Sequence, residues 1–148
     1  MGVPMLERLS TVLGAVFDVA EDDEALTVSG DGIVASVRVV SIAEDLEIVS
    51  LTQPLAWDLP LTNKLRERVA EHAGNTMLGT IVLVEKLVES PANGSSTKSA
   101  NRRSPAKKVA DVMLRYNFPA AGLTDDALRT LILLVLSTGS DVRSAFIS

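Results

Sequence analysis

The side chains able to do chemistry are few and far apart. The chain has 148 residues with a single histidine and no cysteine. No thiolate nucleophile, disulfide framework or zinc-thiolate site can form, and one histidine cannot build a histidine-rich metal site. His72 is the obvious general-base candidate, but no nucleophile lies within one turn of it. It reads instead as a group near a helix C-terminus, where positive charge is favoured. Asp22, Asp23 and Glu24 suggest a hard-cation site, yet lack the regular ligand spacing and closing glutamate of a calcium loop. Asp125 and Asp126 fall in a predicted first helical turn, which already accounts for paired acids. Gly30-Asp31-Gly32 lacks the full phosphate-binding fingerprint and joins two predicted strands, so it reads as a turn. The expectation is no catalytic residue, no metal ligand and no cofactor.

One basic stretch remains. Lys98, Arg102, Arg103, Lys107 and Lys108 follow one another with no acid between Glu89 and Asp111. They lie within or just after a segment, about residues 88–106, rich in Pro, Asn, Gly, Ser and Thr and too poor in apolar groups to offset the entropy of ordering. A flexible basic loop is predicted, able to contact nucleic acid, acidic protein or phospholipid. No aromatic is interleaved for base stacking, and the whole chain is acidic at −5, so nucleic acid is disfavoured as a general partner. Charge is split along the chain. Residues 1–97 carry 6 Lys/Arg against 15 Asp/Glu, and residues 98–148 carry 8 against 4.

The elements that would position these groups follow from periodicity. Met5, Leu6, Leu9, Val12, Leu13, Val16 and Phe17 recur at helical spacing. The acidic run Asp18 and Glu21–Glu24 reads as a linker. A hairpin pairs Leu26–Val28 with Ile33–Ser41 across the glycine turn, and a third strand runs Leu46–Gln53, where Pro54 ends it or holds it at an edge. Thr62 caps a second helix to Ala73, whose narrow stripe is Leu61, Leu65, Val69 and Ala73; Gly74 and Asn75 stop it. Strands at Leu78–Leu87 and Val109–Phe118 flank the basic loop, and Thr124 caps a last helix to about Ile147. Gly139 inside that helix predicts a kink or a close packing contact. The fold class is α+β: two layers in the order helix-β-β-β-helix-β-β-helix, with an antiparallel five-stranded sheet and one domain over residues 1–148.

The last helix is the most apolar stretch. Leu131, Ile132, Leu133, Leu134, Val135 and Leu136 run without a polar break. A helix lying on a sheet buries about half its circumference, leaving roughly three of these side chains homeless at about 1.5–3 kcal/mol each. A partner is therefore expected, with Leu114, Phe118, Leu131, Leu134 and Val135 as buried or partner-facing anchors. The sheet face away from the helices is expected to carry Val34, Val40, Val49 or Leu51, according to register. Homodimerisation is the commonest way to cover such a face.

The element order, Trp57-Leu59-Pro60-Leu61-Thr62 before the second helix, Gly122-Leu123-Thr124-Asp125-Asp126 with Leu128 before the last, and Ser137-Thr138-Gly139 within it, resemble the YbjN family over about Leu6–Ile147. That resemblance implies a fold similar to the type III secretion chaperones, a regulatory or chaperone-like role, and no catalytic residues to carry over. The expectation is a non-catalytic cytoplasmic homodimer that binds another polypeptide through apolar surface. The alternative is a regulator contacting nucleic acid or an acidic ligand through residues 98–108. No stretch is long and apolar enough for a membrane span, and no secretory leader is recognisable.

Overall fold

The computed structural model describes residues 4–23, 25–44, 46–88 and 107–147. Among the described residues three helices and six strands follow one another as α1 (Met5–Gly14), β1 (Asp18–Asp22), β2 (Ala25–Gly30), β3 (Ile33–Ala43), β4 (Leu46–Pro60), α2 (Asn63–Asn75), β5 (Thr80–Val88), β6 (Lys107–Pro119) and α3 (Asp125–Ile147). The strands form one antiparallel sheet in the order β1-β2-β3-β4-β6-β5. The basic loop expected between the last two strands, with Lys98, Arg102 and Arg103, lies outside the described residues. Lys107 opens β6, and Lys108 beside it is exposed.

The sheet has six strands where the sequence predicted five. The extra one is β1, in the acidic run expected to be a linker, where Asp18 pairs with Ser29 and Asp22 with Ala25. Its side chains are exposed except Val19, which is half-buried, so an apolar alternation that would reveal a strand is missing. Charge suits this position, since β1 is an edge and acidic side chains discourage further pairing. β4 is also longer than predicted and passes straight through Pro54. Its pairing with β3 ends at Ser36↔Thr52, so Pro54 lies beyond that neighbour and the missing N–H disrupts no ladder there. Two register shifts, at Pro54/Ala56 and Ala56/Leu59, carry the strand along β6 to Pro60.

All three helices cover one face. Register places Leu26, Val28, Ala35, Val37, Val49, Leu51, Gln53, Leu114, Val112 and Ile81 on that face, and these residues are buried. α1 contributes Met5, Leu9, Val12 and Leu13, α2 contributes Leu65 and Val69, and α3 contributes Leu128, Ile132, Val135, Leu136 and Val142. The caps form as the sequence required. Thr62 Oγ1 accepts from the Leu65 N–H at 3.1 Å, and Thr124 Oγ1 from the Ala127 N–H at 3.1 Å.

Gly139 makes the close approach its position suggested. A methyl group there would fall within 3.0 Å of Gln53 Oε1, Cδ and Nε2, so the glycine lets α3 settle onto the Gln53 amide. Gln53 is buried and its Nε2 donates to the Leu136 carbonyl at 3.5 Å. Its Oε1 has no hydrogen-bond partner. At the start of α3, Arg8 donates from Nη2 to the Leu123 carbonyl at 2.7 Å and from Nε to Asp125 Oδ1 at 2.9 Å, tying α1 to α3.

Candidate functional site

The predicted anchors separate. Leu114, Phe118 and Val135 are core residues under the helices, so none of them is available to a partner. Register explains the correction: the Leu114/Tyr116/Phe118 side of β6 faces inward with Leu51 and Gln53, while Met113, Arg115 and Asn117 face outward. Leu131 is half-buried against the core, and Leu134 is 53% exposed. Within the six-residue apolar run, Ile132, Val135 and Leu136 are buried and Leu133 is half-buried. Only one of the three expected homeless side chains is left, because α1 packs alongside α3 and shelters more of its circumference than a sheet alone would.

The uncovered apolar surface lies instead on the far side of the sheet. Register assigns Val34 and Val40 to it and turns Val49 and Leu51 inward. Val34 is 52% exposed and Val40 42%. Ile42, at the β3 bulge, is 61% exposed, and Leu46 and Ile48 continue the stripe on β4. Ile48 pairs across to Pro119, while Arg38 and Arg115 supply exposed positive charge on the same face. The result is an apolar patch of Val40, Ile42, Leu46 and Ile48 at one end of β3 and β4, parted from Val34 by Ser36 and Arg38 on the same face.

At the other end of this face stands a constellation that the sequence reading missed. Asp111 is 4% exposed on β6, and Lys86 Nζ lies 3.0 Å from its Oδ1 and 2.7 Å from Asp58 Oδ1. The Asp58 N–H donates to Asp111 Oδ1 at 2.9 Å, which fixes the β4 bulge against β5 and β6. Asp58 adopts φ +51°, a left-handed conformation that a non-glycine residue holds only when its surroundings enforce it. The hydrogen bond to Asp58 and then that to Asp111 raise the Lys86 pKa above its ordinary 10.5. Lys86 also stands 5.9 Å from the centre of the Trp57 ring. The available sequence signal was Asp111 itself, an acid amid Val109, Ala110, Val112 and Met113. A carboxylate in so apolar a strand requires a cation nearby.

The other candidate groups have structural occupations. The His72 ring packs at a tilt of 53° against the Phe146 ring with centroids 5.3 Å apart, and Arg68 covers the Phe146 ring at 4.9 Å while donating to the Ala145 carbonyl near the end of α3. Asp125 pairs with Arg8, and Asp126 with Arg129. Asp22 lies in the β1 edge and Asp23 in the turn beyond it. Asp31 and Gly32 form the tight β2–β3 turn at φ +50° and +79°, as the glycine pattern required. Among the described residues no group of three or more His, Cys, Asp or Glu side chains is placed to hold a metal ion. No helix among them is long and apolar enough to cross a membrane.

A three-helix layer on one face of an antiparallel sheet recurs in a solved structure described as "YbjN, a putative transcription regulator from E. coli". The two superpose with a TM-score of 0.58 over 97% of this chain and 91% of that one. The chain has the YbjN fold. Sequence identity between them is 13%, so the likeness resides in the fold and not in shared side chains. No family model and no curated protein matches the sequence.

Proposed function

We propose that the protein is a non-catalytic regulatory or chaperone-like binding module, acting in the cytoplasm as a homodimer, and that it engages a polypeptide partner through the uncovered face of its sheet. The observation that carries this reading is the apolar patch of exposed Val40, Ile42 and Leu46 with half-buried Ile48, and Val34 farther along β3, on a face that no helix covers. Apolar side chains gathered at the paired ends of two adjacent strands present a surface whose burial is favourable at about 25 cal/mol per Å². Arg38 and Arg115 bias that surface toward acidic partners. The description of the YbjN neighbour as a regulator is consistent with a binding role rather than a reaction.

Charge introduced into the patch tests the proposal. Val40→Asp with Ile42→Asp should lower the mass measured by light scattering and abolish partner capture from native cells, with little change in melting temperature because both positions are exposed. Unchanged assembly and unchanged capture would remove the face from this role. The alternative, contact with nucleic acid or an acidic ligand through Lys98, Arg102, Arg103, Lys107 and Lys108, predicts that deleting residues 95–105 abolishes binding and that binding weakens steeply with salt.

A further inference from the structure

β3 begins at Ile33, yet its pairing with β4 extends only to Ser36↔Thr52. The two strands therefore part beyond that pair, and β4 swings away along β6 through its bulges. A cleft of about 340 Å³ opens between them, lined by Gly32, Val34, Pro54, Ala56, Trp57 and Arg143. This size is at the small end for ligand pockets, which are mostly apolar with a few placed polar groups. The lining fits that description, with one charged side chain among apolar and small ones.

Three features set the cleft apart from an accidental gap. Trp57, the chain's only tryptophan, is 57% exposed on its wall. That wall is held rigid, because the neighbouring Asp58 is locked in its left-handed conformation by Asp111 and Lys86. Backbone strain of this kind persists only where the surroundings hold it, and it clusters at binding sites. Finally, Arg143 reaches in from α3, half-buried and without an ion pair among the described residues. An added Cβ at position 32 would stand 4.0 Å from its Nη1, which places the guanidinium beside the β2–β3 turn. The nearest acid in sequence, Asp141, is exposed and not paired with Arg143; beside the other lining residues, Asp58 is paired with Lys86, and Asp31, in the turn next to Gly32, is exposed and not paired with Arg143.

We infer that this cleft binds a small carboxylate with an aromatic or branched apolar body, the body lying among Trp57, Val34 and Pro54 and the carboxylate meeting the Arg143 guanidinium. A planar guanidinium forms paired hydrogen bonds with a carboxylate, and partial burial strengthens them. The site is separate from the apolar patch on β3 and β4 except at Val34, and the inference does not depend on the protein-binding reading.

The lone tryptophan supplies its own reporter. Phenylacetate titrated into the full-length protein, with excitation restricted to tryptophan, should change Trp57 emission along a saturable curve. Phenylacetamide, which keeps the ring and removes the charge, should bind at least about tenfold more weakly, as should phenylacetate to the Arg143→Gln variant. The amide comparison uses the unaltered chain, so it decides even if the variant folds poorly. A linear response without saturation, or equal binding of acid and amide, would overturn the inference. A peptide ending in a free phenylalanine carboxylate distinguishes the source: tighter binding than phenylacetate identifies a polypeptide C-terminus, and weaker binding identifies a free small acid, both within the inferred chemistry.

Discussion

Replacing Gly139 with alanine is the sharpest test of how α3 is seated. In an isolated helix the change would stabilise by about 1 kcal/mol, since glycine is the poorer helix former. Here the added methyl falls within 3.0 Å of three atoms of the buried Gln53 amide, which must shift within the packed core to admit it. Forcing extra volume into a packed interior costs about 1–3 kcal/mol, and moving the amide also breaks its bond to the Leu136 carbonyl, worth about 1 kcal/mol more. The net expectation is a loss of about 1–3 kcal/mol, or about 3–10 °C in melting temperature for a chain of this length. Urea denaturation measures it directly. Gln53→Ala in the same background should relieve the overlap, so the pair should be less destabilised than the two single changes add up to, by about 1 kcal/mol or more. Gly139→Ala matching or exceeding the wild type, or strict additivity with Gln53→Ala, would refute the packing argument.

Two further expectations follow from the ion cluster and the helix start. Lys86 has its folded pKa raised above the unfolded 10.5, so its contribution is fully present below pH 10.5 and is lost as pH rises through the folded value. The melting temperature of the wild type should therefore fall more steeply above pH 10.5 than that of Lys86→Gln, and parallel curves through pH 11 would contradict the assignment. Thr62→Ala removes the hydroxyl that accepts from the Leu65 N–H and should cost about 1 kcal/mol, read as a drop of about 2–4 °C in a thermal melt.

Helices were the legible part of this sequence, because each carries an apolar stripe and two of them open on a capping threonine. Thr62 and Thr124 marked two starts to the residue, and Gly139 announced a close contact whose partner, Gln53, lies 86 positions earlier and was unreadable. β1 was invisible for the opposite reason. An edge strand that buries almost nothing has no periodicity to detect, and its acids looked like a linker. The five-stranded count failed there. β4 was cut short at Pro54 because a proline argues against a strand only where a neighbour needs its N–H, and which neighbours a residue has is a property of the sheet. Register also decided the fate of the predicted anchors. Alternation in β6 set the apolar Val112/Leu114/Tyr116/Phe118 face against the more polar Asp111/Met113/Arg115/Asn117 face, but only the assembled sheet showed that the apolar one lies under the helices and not toward a partner. The Asp58–Lys86–Asp111 cluster joins three strands, so only the acid in an apolar run hinted at it.

The strand order has a consequence for the newly made chain. β1 through β4 can pair as soon as they leave the ribosome, each with the strand before it, but the other side of β4 must wait for β6, whose residues emerge some fifty positions later. Until Val109–Pro119 arrives, the longest strand of the protein travels with an unpaired, largely apolar border, and contacts so distant in sequence form slowly. Pauses in translation across residues 61–106 would prolong that interval, and nascent-chain aggregation or chaperone engagement should peak there and cease once β6 has been synthesised.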